Sequence, residues 1–393
     1  MAPKLKAFLL FSLLVPCWII AAQYDIDLVN LYKVSEFSKI DLSLVYAYNG
    51  LLGRFFYGPV SLILLWPLSW MSYEEAKWVW IVLQTLSYGI FWYCLYKLYP
   101  LLSERTIFWG WLVVFILSIN PIHNNYQSNN VQLMIMAALV AAEVWTQSTK
   151  EWQQVLAGVL VAVVASVKVF PFFLVVYYYL TRNRAVREGL LLGCALCILA
   201  PMLFFGYEET TLLFKNFLGG LGTYEADNSL TGREDILCLP SLISRWLPPS
   251  IAPLVTKISI LGISGVFFAW AWWTERKSTD PRVKIHSWAL ACALTAFLNP
   301  STRPHYFILY VPAAASVLEV IYATQSKRLM TAGLVVATLL IAFTVEGVVG
   351  KELNNKMEAF SLPTYGFLVL TIVLMVALRK RLATVPAVLP TSV

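Results

Sequence analysis

Apolar residues occur along this chain in long blocks, separated by short polar stretches that hold most of the charge. A helix that crosses a bilayer needs about 20 predominantly apolar residues. In the second half of the chain such blocks fall near 188–206, 253–273, 286–298, 306–323, 330–348 and 364–378. Basic clusters sit at Arg182/Arg184/Arg187, Arg276/Lys277/Arg282/Lys284, Lys327/Arg328 and Arg379/Lys380/Arg381. Lys and Arg collect on the cytoplasmic side of membrane proteins. Placing all four clusters there threads this half without conflict, and the segments 207–252, 299–305 and 349–363 face outside.

The first half is less regular. Met1–Lys6 is basic, which puts the N-terminus inside and 23–56 outside. Six apolar stretches follow before Arg182, at 57–71, 77–96, 107–119, 131–146, 154–167 and 169–181. An even number of crossings would leave Arg182 outside, so one stretch is expected not to cross. The stretch 57–71 is the best candidate, because it carries Gly58, Pro59 and an internal Pro67. Irregular backbone at membrane depth is tolerated where protein or a water-filled cavity satisfies it. On this threading 23–56, 121–130, the tip at Lys168–Pro171, 207–252 and 299–305 share the outer face.

Composition supports the membrane reading and narrows the alternatives. Hydrophobic residues make up 59% of the 393 and charged residues 13%, against roughly 25% charged in a soluble domain. No polar stretch is long enough for a soluble domain, so 1–393 reads as one membrane-embedded unit. The net charge of +7 flanks the apolar blocks and does not signal nucleic-acid binding. Cys194 and Cys197 have CxxC spacing but no His partners, and read as packing residues. Residues 1–22 read as a first helix in preference to a cleaved leader, although Ala-Ala-Gln resembles a cleavage site.

Lys168 is the most unusual residue. Apolar neighbours flank it for more than ten positions on each side, and a central Lys costs roughly 2.5–3.5 kcal/mol on insertion scales. Such a residue points to a pathway or an anionic partner, with snorkelling to the interface as the plain alternative. Asp25 and Asp27 are either solvated loop acids or a base. The amides of Pro-Ile-His-Asn-Asn-Tyr-Gln-Ser-Asn-Asn (121–130) either cap turns or meet sugar hydroxyls. His305 after Pro304 is either a turn residue or a proton carrier. One or two outer carboxylates, an outer His and buried cations fit transfer of a sugar from a lipid phosphate. The acceptor hydroxyl needs a base, an Asp or a His. The anionic leaving group needs positive charge, which Lys168, Arg233 and Arg303 would supply. Gln127, Asn129 and Asn130 would suit the sugar.

Several short motifs occur in a fixed order. Asp27-Leu28, with Tyr32, follows the first apolar block, and Phe55-Phe56-Tyr57-Gly58-Pro59 opens the second. Pro121 precedes Tyr126-Gln127-Ser128-Asn129, and Gly158 precedes Lys168-Val169-Phe170-Pro171. Asn228-Ser229-Leu230 precedes Arg233, and Pro300 precedes His305. In this order the motifs resemble glycosyltransferase family 87. These are GT-C-type membrane enzymes that include polyprenol-phosphate-mannose-dependent alpha-(1→2)-mannosyltransferases. The resemblance covers most of 20–325. Gly58 and Tyr126 depart from it, where the family pattern has proline and glycine. Tyr32 comes one position late, which leaves Asp25 against Asp27 open, with Asp27 preferred.

The resemblance implies an all-α, polytopic GT-C-like bundle of about 11–13 transmembrane or re-entrant helices with an outward-facing active site. It implies an inverting hexosyltransferase of the plasma membrane, with a polyprenyl-phosphate-linked sugar, mannose above all, as donor. A glycolipid or glycan would be the acceptor. Asp27 (or Asp25) would be the base, and His305 would assist proton transfer. Lys168, Arg233 and Arg303 would hold the phosphate, while Gln127, Asn129, Asn228 and Tyr57 would contact substrate. No cofactor is implied, although the paired acids leave a metal open. Two other classes stay in view: a flippase or transporter of lipid-linked sugars, which would show inverted repeats, and an outer-face glycan polymerase or ligase, for which 207–252 is long enough.

Overall fold

The computed structural model describes residues 14–24, 26–47, 49–50, 53–54, 57–103, 108–227, 236–278, 280–300, 302–323, 328–342 and 349–384. Asp25, Asn228 and Arg233 lie outside the described residues. In chain order the helices begin with α1 (Leu14–Gln23), α2 (Ile26–Ile40) and α3 (Ser43–Ala47). A two-residue antiparallel pair, β1 (Asn49–Gly50) and β2 (Gly53–Arg54), follows, then α4 (Val60–Leu65) with a 3-10 turn at Trp66–Trp70. Next come α5 (Tyr73–Leu98), α6 (Phe108–Ser128), α7 (Gln132–Thr146), α8 (Glu151–Val167), α9 (Phe172–Thr181), α10 (Arg184–Phe205) and α11 (Tyr207–Asp227). The chain continues with α12 (Leu239–Trp246), α13 (Ala252–Lys277), α14 (Pro281–Leu298), a 3-10 segment Pro304–Tyr310 and α15 (Val311–Ala323). It ends with α16 (Arg328–Ala342), α17 (Lys351–Ala359) and α18 (Leu362–Thr384).

Among the described residues five helices are long and apolar enough to cross a membrane, or six if the bent pair α1–α2 counts as one span. Shorter apolar helices accompany them, so the protein is the polytopic, all-α membrane bundle expected. The first half differs in detail from the expected threading. Val60–Trp70, Gln132–Thr146, Glu151–Val167 and Phe172–Thr181 are all short, where the parity argument singled out 57–71 alone. Turns at Asn129–Asn130 and Lys168–Pro171 cut the apolar sequence into these pieces. The segments 23–56, 121–130 and 207–252, expected as loops, are largely helical.

The chain packs as two compact units, one of Met1–Lys97, Ser118–Ile236 and Arg303–Ile308, the other of Leu98–Leu117, Leu237–Thr302 and Leu309–Val393. In the first unit α8 and α10 meet through glycines. A Cβ on Gly158 would sit 2.2 Å from the Val186 carbonyl oxygen, and one on Gly189 would sit 2.0 Å from that of Val155. Small residues allow this backbone approach, a common way to join membrane helices. Helix α2 buries Leu28, Leu31 and Val34 along one face, the spacing of a helix lying on a core. Tyr32 Oη donates to the Met71 carbonyl at 2.8 Å and Lys39 Nζ to that of Ser69 at 2.5 Å. Glu143, inside an apolar helix, accepts from Arg182 Nη2 at 2.8 Å and from Tyr178 Oη at 2.9 Å.

In the second unit α14 is almost wholly buried. Glu319 on α15 faces Arg282 Nη1 at 3.2 Å and His286 Nε2 at 3.5 Å. His286 is buried inside the fold, where Glu319 gives it a partner. Gly333 and Gly366 let α16 and α18 approach, with Val373 and Ile341 as the nearest neighbours. Leu254, Ile258, Leu261 and Val266 of α13 stay exposed, a surface suited to lipid.

The glycine crossing gives a direct expectation. Gly189→Ala forces a Cβ into backbone, and overpacking of this kind costs about 1–3 kcal/mol. The thermal midpoint of the purified protein in nanodiscs should fall. Gly262→Ala, where nothing lies within 4 Å, should leave it unchanged or raise it.

Candidate active site

The first unit brings together residues from four distant parts of the chain. Asp27 lies in the first turn of α2, where a negative charge is favoured by the helix dipole. Asn130 sits at the turn between α6 and α7 and is 4% exposed. Its Nδ2 donates to Asp27 Oδ2 at 2.5 Å. Its Oδ1 accepts from Lys168 Nζ at 3.2 Å and from the Gln132 backbone N–H at 3.0 Å. One carboxamide thus holds both a carboxylate and an ammonium group.

The position of Lys168 is set by backbone pairing. Helix α8 ends at Val167, and Lys168 is extended at φ −139° and ψ 121°. Tyr57 and Lys168 form an isolated antiparallel bridge, and the Gly58 N–H donates to the Val167 carbonyl at 3.1 Å. A Cβ on Gly58 would sit 2.1 Å from the Ser166 carbonyl oxygen. Proline has no N–H to give, so Gly58 fits this bridge where the proline of the family pattern would not. The bridge places Lys168 Nζ 5.4 Å from the Tyr57 ring centroid and 4.6 Å from that of Tyr306. Such cation–π contacts hold an ammonium at about 0.5–2 kcal/mol each. Phe170 packs edge-on against Tyr306 at 4.9 Å between centroids.

The fourth contribution is the stretch after α14. His305 is buried, with its ring centroid 4.8 Å from that of Tyr306. It lies within electrostatic range of Lys168 and Arg303. Lys168 itself lies in a turn outside the helices of spanning length. Burial pulls its ammonium down to about 7; the Asp27 carboxylate opposes this and the Arg303 guanidinium adds to it. An anion bound beside Lys168 and Arg303 would restore the charge. Among the described residues no three His, Cys, Asp or Glu side chains gather to hold a metal ion.

The amide-rich segment divides into two roles. Asn125 Oδ1 accepts from the Leu133 N–H at 3.0 Å and its Nδ2 donates to Gln84 Oε1 at 2.6 Å. Gln84 Nε2 donates to Asn129 Oδ1 at 2.9 Å, and Asn129 Nδ2 donates to the carbonyls of Ala21 at 3.0 Å and Tyr24 at 2.7 Å. Asn129 also takes a left-handed φ of 51°, which Asn tolerates better than most residues. Its carboxamide ties the turn to the approach of α2. Gln127 is half-buried and Asn130 is the residue at the carboxylate. Tyr32 is drawn away from Asp27 by its bond to Met71.

The structure therefore gathers Asp27, Tyr57, Lys168, Arg303 and His305 from the expected set. It adds Tyr306, which sequence reasoning passed over because Tyr and Trp collect at membrane interfaces for unrelated reasons. Chemically the arrangement offers a partly exposed carboxylate, a buried imidazole and two cations. No protein of curated function and no solved structure matches the chain. A sequence profile described as glycosyltransferase family 87 matches residues 55–299, which takes in Tyr57, Asn130 and Lys168 while Asp27 and the Arg303–Tyr306 stretch lie beyond it. With more than half of its length matched in this way, this multi-pass membrane protein belongs to glycosyltransferase family 87 and is a glycosyltransferase.

Proposed function

We propose that the protein transfers a hexose, mannose in the first instance, from a polyprenyl-phosphate donor to a glycolipid or glycan acceptor at the outer leaflet of the plasma membrane. The observation that carries this reading is the shared Asn130 carboxamide, which holds Asp27 and Lys168 at opposite ends of one side chain. A glycosyl transfer from a lipid phosphate needs a base for the acceptor hydroxyl and positive charge for the departing phosphate, a sugar's width apart. Asp27 takes the acceptor proton as the hydroxyl attacks the anomeric carbon. The bond from that carbon to the phosphate oxygen breaks, and the electron pair leaves on the phosphate. Attack from the face opposite the phosphate inverts the anomeric carbon. Lys168 and Arg303 stabilise the departing charge, and His305 assists proton movement beside them.

The donor class rests on two arguments. A polyprenyl phosphate is already anionic and departs without a general acid, so cations suffice on the leaving-group side. The segments expected on the inner side carry no Gly-rich nucleotide loop, which fits a lipid-borne sugar better than a sugar nucleotide. Arg233 and Asn228 remain in the proposal as further phosphate and sugar contacts, Asp25 as an alternative base and Gln127 as a sugar contact, while the Asn129 carboxamide, engaged by Gln84, Ala21 and Tyr24, serves the turn instead of the sugar.

Radiolabelled transfer from polyprenyl-phosphate-mannose in membranes tests the assignment. Asp27→Asn should lower the turnover about 10²–10⁴-fold, the usual worth of a positioned base, with little change in donor KM. Lys168→Met should raise donor KM about 10–100-fold, the worth of a hydrogen bond to a charged group. Full activity in Asp27→Asn would remove the carboxylate base.

The depressed Lys168 ammonium adds a pH signature. Below about 7 the group is charged and ready for phosphate, and above it the proton must be restored on binding. Donor KM in the wild type should therefore rise as pH climbs from 7 to 9. In Lys168→Met the profile should be flat, and parallel profiles would count against the phosphate contact.

A further inference from the structure

The turn that carries Asn130 also carries a side chain that the assignment above leaves unused. Gln132 opens α7 and is 0% exposed, yet neither its Oε1 nor its Nε2 has a hydrogen-bond partner among the described residues. A buried amide without partners gives up its hydration with nothing in return, so native structures rarely keep one without a purpose. Its neighbours show how sharply it differs. Asn125, Asn129 and Asn130 in the same segment, and Gln84 opposite them, all have partners. Only the Gln132 backbone is engaged, donating to Asn130 Oδ1, the atom that also receives Lys168.

A second amide repeats the pattern on the Asp27 side. Asn30 lies one helical turn beyond Asp27 on α2, a spacing that puts both residues on the same face. Its Oδ1 is also enclosed and lacks a partner among the described residues. Unfilled acceptors and donors thus flank the Asp27–Asn130 pair along both chain segments that build it.

We propose that the Gln132 carboxamide is a substrate contact that binds a hydroxyl pair of the transferred hexose, with Asn30 Oδ1 accepting from a further hydroxyl beside Asp27. This rests on the reading of the site as one for lipid-phosphate-linked sugars. A carboxamide offers one acceptor and two donors, and adjacent sugar hydroxyls each donate and accept. An apolar ligand would leave both ends of the amide unsatisfied, and a bare phosphate would leave its acceptor unmet. A hexose seated between Lys168 and Asp27 satisfies both.

The physical consequence separates this role from a structural one. If Gln132 has no protein partner, a nearly isosteric apolar residue costs the empty protein nothing and relieves it of a buried polar group. The test uses the full chain in nanodiscs, with thermal midpoint and ligand-induced stabilisation as readouts. The probes are polyprenyl phosphate alone and polyprenyl-phosphate-mannose. Gln132→Met, with Gln132→Leu as a second variant, should melt no lower than the wild type when empty. Both should keep the stabilisation by polyprenyl phosphate, while their affinity for the sugar-bearing lipid falls about 5–10-fold, the worth of lost neutral hydrogen bonds. Undiminished affinity for the sugar-bearing lipid, or lower melting of both empty variants, would overturn the Gln132 assignment alone. Equal stabilisation of the wild type by both lipids would also overturn it, since no sugar would then be recognised. A wild type stabilised by neither lipid would instead overturn the underlying reading of the site, and the Gln132 assignment with it.

Discussion

The site depends on the side chain of Asn130, which meets groups of opposite charge at its two ends. Its amide nitrogen faces the Asp27 carboxylate, and its carbonyl oxygen faces the Lys168 ammonium and the start of α7. A carboxamide is well suited to this because its two ends have opposite polarity, so it meets an anion and a cation without carrying charge itself. A charged residue in its place would pair with one neighbour and repel the other. Burial strengthens both contacts, since hydrogen bonds to charged groups gain as the local dielectric falls.

The elements around Asn130 exist to deliver its two partners. The bridge between Tyr57 and Lys168, with Gly58 fitted against the Ser166 carbonyl, ends α8 early and fixes the lysine in extended backbone. The Gln84–Asn129 network ties the turn to Ala21 and Tyr24, which lead into α2 and so fix the height of Asp27. The α8–α10 glycine contact and the Glu143–Arg182 pair hold the frame from which these short helices project. A buried ion pair of this kind adds little net stability, but loss of one partner is expensive, so it acts more as a register than as a source of energy.

Much of this was legible in the sequence. The membrane class follows from the apolar blocks, and Lys168 stood out because a charge with ten apolar neighbours on each side demands a reason. Asp27, His305 and Arg303 were picked out as chemistry, and the structure brings them to one unit. The helical character of 23–56 was not legible, because Leu28, Leu31 and Val34 are diluted by acids and lysines that read as a loop. Asn130 could not be told from Gln127 and Asn129 by composition, since the five amides of 121–130 look alike until their partners are known. Glu143 and Glu319 were hidden inside apolar runs, and their basic partners looked like ordinary topology signals. The shape of Tyr306 beneath Lys168 has no signature among so many interfacial aromatics.

The central claim is that Asp27 and Lys168 act on one substrate because one carboxamide couples them. A double-mutant cycle on kcat/KM for lipid-linked mannose, with Asp27→Asn and Lys168→Met measured in the Asn130 and Asn130→Ala backgrounds, tests it most directly. Groups that share one network couple by about 0.5–3 kcal/mol. The account predicts such coupling between Asp27 and Lys168 when Asn130 is present, and its loss in Asn130→Ala. Additive effects of the two substitutions in both backgrounds would contradict it.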